Sequence, residues 1–227
     1  MRLIKERGWP QRYSAIAGLW LVAACGLIPE PINKGADMLV VGDSILAWNR
    51  LSGQSVGDVI AQEAGLIVNN VAVSGATFLG ADGITSQYVS NDWTWVLVDG
   101  GGNDLTENCL LPEAIPILDA LISADGTQGA YADFADQVAA DGATLLVMDY
   151  YPVSDLGGPY VQCVPAFDEL TKRLARFAAQ RDGVLLIETD AVIAPSNLDA
   201  YARDLVHPTP LGSALIGKQI AQVIASQ

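Results

Sequence analysis

The chain has almost no histidine: among 227 residues there is one, His207. A mechanism that uses an imidazole base must therefore use that residue, and a metal site built on several histidines is excluded. Basic residues are also scarce, 12 Lys and Arg against 26 Asp and Glu, for a formal net charge of -14. Nucleic acid needs a basic footprint to neutralise its phosphates, so that partner is excluded, and so is electrostatic docking on anionic lipid. An acidic surface of this kind serves solubility. The three cysteines, Cys25, Cys109 and Cys163, form no CxxC pair, which removes the usual zinc and thioredoxin-type patterns. No serine sits in a G-x-S-x-G elbow, and there is no P-loop, G-x-G-x-x-G or EF-hand calcium loop. Internal repeats and low-complexity tracts are absent too. These absences leave serine chemistry with no metal and no cofactor.

Long apolar runs are confined to the N-terminus. Arg2, Lys5, Arg7 and Arg12 precede an apolar stretch from Tyr13 to Ala24. That stretch is too short to span a bilayer comfortably and reads as the apolar region of a signal peptide covering residues 1–24. It ends in Leu21-Val22-Ala23-Ala24-Cys25-Gly26. Small residues before a cysteine resemble a bacterial lipobox, in which the cysteine is lipid-modified and becomes the new N-terminus. The other reading is ordinary cleavage near Ala24 with Cys25 incidental. The expectation is an exported protein held in the bacterial envelope through a lipid at Cys25. Residues 25–36, with Pro29 and Pro31, read as a tether, and residues 37–227 as one domain. Export would put Cys109 and Cys163 in an oxidising compartment, where they either pair or remain two thiols.

The domain is organised around Met38-Leu39-Val40-Val41-Gly42-Asp43-Ser44. Four apolar residues between turn signals predict a short strand buried on both faces, and the break after it places Ser44 at the strand's C-terminal tip. Beyond it, strand-like and helix-like stretches alternate. Strands are expected at Leu66 to Val73, Trp93 to Asp99, Thr144 to Met148 and Val184 to Ile187. Helices are expected at Ser55 to Ala64, Pro112 to Ile122, Gly129 to Ala140, Ala166 to Gln180 and Pro210 to Ile224. Alternation of this kind predicts a three-layer α/β/α fold with a five-stranded parallel sheet in the order 2-1-3-4-5. The first and third strands then neighbour each other at the switch point, with Ser44 and Asn103 at their tips.

Four blocks carry the chemistry: Gly42-Asp43-Ser44, Asn70 to Thr77, Gly101-Gly102-Asn103-Asp104, and Asp204-Leu205-Val206-His207-Pro208. Together, and in this order, they resemble the SGNH (GDSL-type) hydrolase family, and the second block resembles its thioesterase, lysophospholipase and arylesterase branch. The resemblance implies a serine esterase acting on acyl esters or thioesters, with Ser44 as nucleophile, His207 as base and Asp204 as its orienter. It implies an oxyanion cradle formed by the backbone N–H of Ser44, the backbone N–H of Gly75 and the side-chain amide of Asn103. Glycine at position 75 also fits a close approach of the oxyanion, since no Cβ blocks it. Asp43 and Asp104 read as braces for the loops, and Asp99 as a turn residue at a strand end. Trp95 reads as core; Trp48, one helical turn after Ser44, could be core or pocket. Two alternatives remain: a polysaccharide O-acetyl esterase or acyltransferase, and a non-catalytic lipid-anchored envelope protein. The substrate class, small ester, lipid or acylated sugar, is left open, as is the oligomeric state.

Overall fold

A computed structural model describes residues 29–227. The signal-peptide reading of residues 1–24 and the lipidation reading of Cys25 lie outside the described residues. Five strands form one sheet: β1 (Met38–Val41), β2 (Val68–Asn70), β3 (Trp95–Val98), β4 (Thr144–Met148) and β5 (Val184–Ile187). Their order is β2-β1-β3-β4-β5, and every pair is parallel. This is the expected sheet.

The strands are buried on both faces, and their alternate side chains divide between two cores. Leu39, Val41, Val96, Val98, Leu145 and Val147 join one core. It is completed by α4 (Ile115–Leu121), α5 (Ala130–Ala140) and α6 (Val164–Ala179) through Leu118, Phe134 and Phe177. Met38, Val40, Leu97, Leu146 and Met148 face the other core, with Ile60 of α2 (Val56–Ala64) and Ile216 and Ile220 of α7 (Pro210–Ala225). The two-residue period of a strand thus feeds both helical layers at once. Trp95 is half-buried against the second core, as read from its strand position.

Two differences from the sequence reading have local causes. The second strand is three residues long, Val68–Asn70, where Leu66 to Val73 was expected. The side chain of Asn70 ends it: Oδ1 accepts from Ala72 N at 3.1 Å, and Nδ2 donates to Leu46 O at 2.8 Å. The segment expected as a tether also packs on the domain. Asn33 N donates to Asn69 Oδ1 at 2.8 Å, and Ala36 is buried in the first core.

Candidate active site

The Ser44 turn is built into the core. Gly42 follows β1 with φ +156°, and a Cβ there would lie 1.9 Å from Asp99 Oδ1. Glycine is therefore what allows the tip of β1 to press against the tip of β3. Gln87 grips the same residue from both sides, accepting from Gly42 N at 2.8 Å and donating to Gly42 O at 2.9 Å. Asp43 then caps the short helix α1 (Ser44–Ala47), its Oδ1 accepting from Ile45 N at 2.9 Å. Ser44 is the first residue of α1, half-buried at the C-terminal edge of the sheet.

Two buried acids lie under this turn. Asp99 Oδ1 accepts from Asp43 N at 2.8 Å, and Asp99 Oδ2 is buried without a partner among the described residues. Burial pushes the Asp99 carboxyl well above the usual carboxylate range, and the neighbouring Asp43 charge adds to this. Burial also raises Asp43, against the pull of its bonds from Tyr150 and Ile45. Asp99 is thus more than the strand-end turn residue expected of it. Asp104 braces a loop, as read: its oxygens accept from Phe78 N at 2.7 Å and Leu79 N at 2.8 Å.

The Asp204–His207 turn is a surface loop. Asp204 Oδ1 accepts from the backbone N–H groups of Val206 and His207, each at 3.0 Å. Its Oδ2 meets His207 Nδ1 at 2.7 Å. Burial by itself would raise the Asp204 carboxyl, but the bonds from His207 and Val206 outweigh it and hold the group below its ordinary value. Leu205 between them has φ +59°, the left-handed bend that folds the turn back on itself. The imidazole stacks on Trp48, ring centroids 3.8 Å apart and planes 6° from parallel. Trp48 in turn closes α1, its backbone N–H donating to Ser44 O at 2.9 Å. Asn49 continues the clamp, donating to Pro208 O at 3.1 Å and to Ser213 Oγ at 3.0 Å. From the far side, the Tyr151 hydroxyl donates to Val206 O.

The recess beside Ser44 is lined by the tips of β2 and β3. Gly75 has φ +81°, and a Cβ there meets nothing within 4 Å. Its backbone angle, not crowding by other protein atoms, is what requires glycine. Asn103 stands at the start of α3 (Gly102–Leu105). Its Nδ2 donates to Ala76 O at 2.9 Å and points a second, long contact of 3.5 Å at Asp43 Oδ2. A central tie joins these parts: the Tyr150 hydroxyl donates to Asp43 Oδ2 at 2.6 Å and accepts from Gly102 N at 2.9 Å.

Two hollows open here. One, of about 70 Å³, touches Ser44, Asn103 and Val206 and is walled by Tyr150, Tyr160 and Phe167. The other is a wider groove of about 620 Å³ that shares Asn103 with the first and carries Gly75, Thr77, Thr106, Glu107 and Asn108. Cys109 and Cys163 are joined in a disulfide with their Cα atoms 4.9 Å apart. The bond ties the loop after α3 to the start of α6, which bears Phe167. Among the described residues no cluster of three or more His, Cys, Asp or Glu could hold a metal ion.

The structure therefore brings Ser44, Gly75, Asn103, Asp204 and His207 to one end of the sheet. Sequence reasoning missed Tyr150 and Asn49 and left Trp48 open. The position of Trp48, four residues after Ser44, was the one available signal; Tyr150 and Asn49 carried none.

An open parallel sheet in the order 2-1-3-4-5, with Ser44 just after its first strand and Asn103 after its third, is the SGNH-type fold of ester-hydrolysing enzymes. The chain belongs to the GDSL-like lipase/acylhydrolase family, whose sequence profile matches residues 40–215. A search of curated proteins finds no match. Solved structures share the fold at low identity. A member of the lipolytic protein G-D-S-L family from Veillonella parvula superposes with a TM-score of 0.63 at 13% identity, covering 84% of this chain and 98% of that one. A family 3 carbohydrate esterase from Clostridium thermocellum gives 0.55 at 17%, covering 83% and 98%. The protein TesA gives 0.57 at 18%, again covering 83% and 98%.

Proposed function

We propose that this chain hydrolyses acyl esters or thioesters through an acyl-enzyme on Ser44. The Ser44 hydroxyl attacks the carbonyl carbon while His207 takes its proton through the ring nitrogen not bonded to Asp204. Asp204 holds the other nitrogen and stabilises the imidazolium that forms. The backbone N–H groups of Ser44 and Gly75 and the amide of Asn103 meet the negative charge on the carbonyl oxygen. The second Asn103 hydrogen, only loosely held by Asp43 at 3.5 Å, is the one an oxyanion can take. Collapse of this intermediate sends the His207 proton to the leaving alkoxide or thiolate. Water, deprotonated by His207, then attacks the acyl-serine and releases the acid.

The observation that carries this reading is the Asp204–His207 bond together with the stack of His207 on Trp48, the residue that closes the helix begun by Ser44. The aromatic-walled hollow suits an acyl group, and the chain is read as exported and lipid-anchored at Cys25. A second reading, a polysaccharide O-acetyl esterase, draws on the polar groove of Thr77, Thr106, Glu107 and Asn108. Turnover across a p-nitrophenyl acyl-chain series, beside acetylated sugars, separates the two. A fluorophosphonate probe tests the shared serine step. Labelling that disappears in Ser44→Ala and drops sharply in His207→Ala is expected; no labelling of folded protein refutes the reading and favours the non-catalytic envelope protein.

A further inference from the structure

The first described residues approach the domain from a particular direction. Pro29 and Glu30 share a cavity with Val71 and Val73, which follow the C-terminal end of β2. Gln87 lines the same cavity and holds Gly42, two residues before Ser44. From there the chain descends along β2. Asn69 Nδ2 reaches Pro31 O at 3.3 Å, Asn33 N reaches Asn69 Oδ1, and Asp37 N pairs with Ile67 O at 2.8 Å, just before β1 begins. The chain therefore comes in at the end of the sheet that carries the active site and runs to the opposite end. Cys25 precedes Pro29 by four positions, a reach of at most about 14 Å of extended chain.

The same end carries most of the large hydrophobic side chains that remain exposed. Leu79 follows β2; Leu110 and Leu111 follow β3 and α3; Leu156 and Val161 follow β4; Leu211 opens α7 after β5. The Cys109–Cys163 disulfide pins two of these loops together, with Leu110 next to one cysteine and Val161 two residues before the other. Leu156 is 66% exposed and Leu110 54%. At the opposite end, ahead of β2, Ile67 is comparably exposed at 55% but has no such company. Scattered surface leucines need no explanation, but a group of them at the end of the sheet that carries the site does.

We propose that the C-terminal end of the sheet is a lipid-docking face, which rests against an uncharged bilayer surface with the mouth of the active site toward it. This deepens the proposed function and rests on its reading of Cys25 as the anchor. An anchor so close to Pro29 holds this end, and not the other, at the membrane. The exposed leucines and Val161 then enter the headgroup boundary, where apolar side chains gain from leaving water. Residues 25–227 carry 8 Lys and Arg against 25 Asp and Glu, a net charge of -17, which selects zwitterionic over anionic headgroups. The substrate implied is an ester whose acyl chain already lies in that surface.

The test uses the full chain reconstituted in phosphatidylcholine vesicles, made with ordinary or with acyl-brominated lipid. A tryptophan is added at the active-site end (Leu156→Trp, and separately Leu110→Trp) or at the opposite end (Ile67→Trp), and each is read as a difference from the parent protein. Brominated lipid is expected to quench the added tryptophan at 156 and at 110, and to leave that at 67 unquenched. Equal quenching at both ends, quenching only at 67, or failure of the full chain to float with the vesicles overturns the proposal. Turnover of soluble p-nitrophenyl acetate is followed in the same samples. Its absence alongside quenching at 156 and 110 would sink the esterase reading and leave the docking face standing.

Discussion

The turn that carries Ser44 and the turn that carries His207 meet at one site but are held in opposite ways. The serine turn is anchored in the interior: Gly42 is pressed on Asp99, Asp43 is buried, and Gln87 and Tyr150 bond to it from other elements. The histidine turn is at the surface, with the Asp204 side chain 42% exposed and the His207 side chain 19%. It makes its own internal bonds within three residues and borrows its position from Trp48, Asn49 and Tyr151. A side chain placed by a sheet tip, as Ser44 is, inherits the rigidity of the core. An imidazole on a surface loop needs partners outside its own turn, because one hydrogen bond to Asp204 leaves the ring free to pivot.

Substitutions can widen or close this contrast. The largest effect is expected for His207→Ala, a fall in kcat on the order of 10⁶-fold, as when one member of such a triad is removed. Its melting temperature should fall only slightly, because what is lost is the Asp204 bond and the stack on Trp48 at the edge of the domain; a large drop would show that the loop is part of the core after all. Asn103→Ala is next, with a loss of about 2.7–4 kcal/mol in transition-state stabilisation, the size found for one oxyanion donor. Steady-state kcat reads it, and an unchanged rate would remove Asn103 from the recess.

Trp48→Ala should cost less. A stacked aromatic pair contributes about 0.5–1.5 kcal/mol beyond its burial, which corresponds to roughly a tenfold fall in kcat at most. KM should hold steady and Trp48→Phe should restore most of the rate; a fall in KM alone, or no rescue by phenylalanine, would deny that the ring positions His207.

The smallest effect is a difference in pH dependence. A carboxyl raised by folding binds its proton more tightly in the folded chain, so its contribution to stability declines as pH rises from the unfolded value toward the folded one. Asp99 is such a group. Asp99→Asn does not titrate, keeps an oxygen for Asp43 N and places an N–H where the unpartnered oxygen lies. Its melting temperature should therefore fall less than the parent's between acid and neutral pH. Asp204 has the opposite sign: its lowered carboxyl stabilises the fold above the unfolded value, and that gain is lost as acid protonates it. Parallel curves for the parent and Asp99→Asn would remove Asp99 from any buried titration.

Much of this was legible in the linear chain. Runs such as Met38–Val41 and Thr144–Met148 alternate with helical patterns, and that alternation specifies a covered parallel sheet. Asp204 and His207 are three residues apart, so their bond is a property of one turn and can be read as spacing. Asn70 was harder, because its side chain competes with the strand it belongs to and shortens β2. The need for a glycine at position 75 was legible, but its reason was not, since a positive φ does not show in the residue name.

By itself, then, the sequence determined what depends on neighbours along the chain: the strand and helix pattern, the Gly42-Asp43-Ser44 turn and the Asp204–His207 turn. The tertiary structure alone decided what depends on neighbours across it. The Tyr150–Asp43 bond spans 107 positions, the Asn49–Pro208 bond 159, and the Cys109–Cys163 disulfide 54. The burial of Asp99, the stack of Trp48 on His207 and the direction from which residue 29 arrives belong with them. The physical reason is that a local contact is fixed by backbone geometry and spacing, whereas a contact between distant residues exists only once the packing of whole elements has set the distance between them.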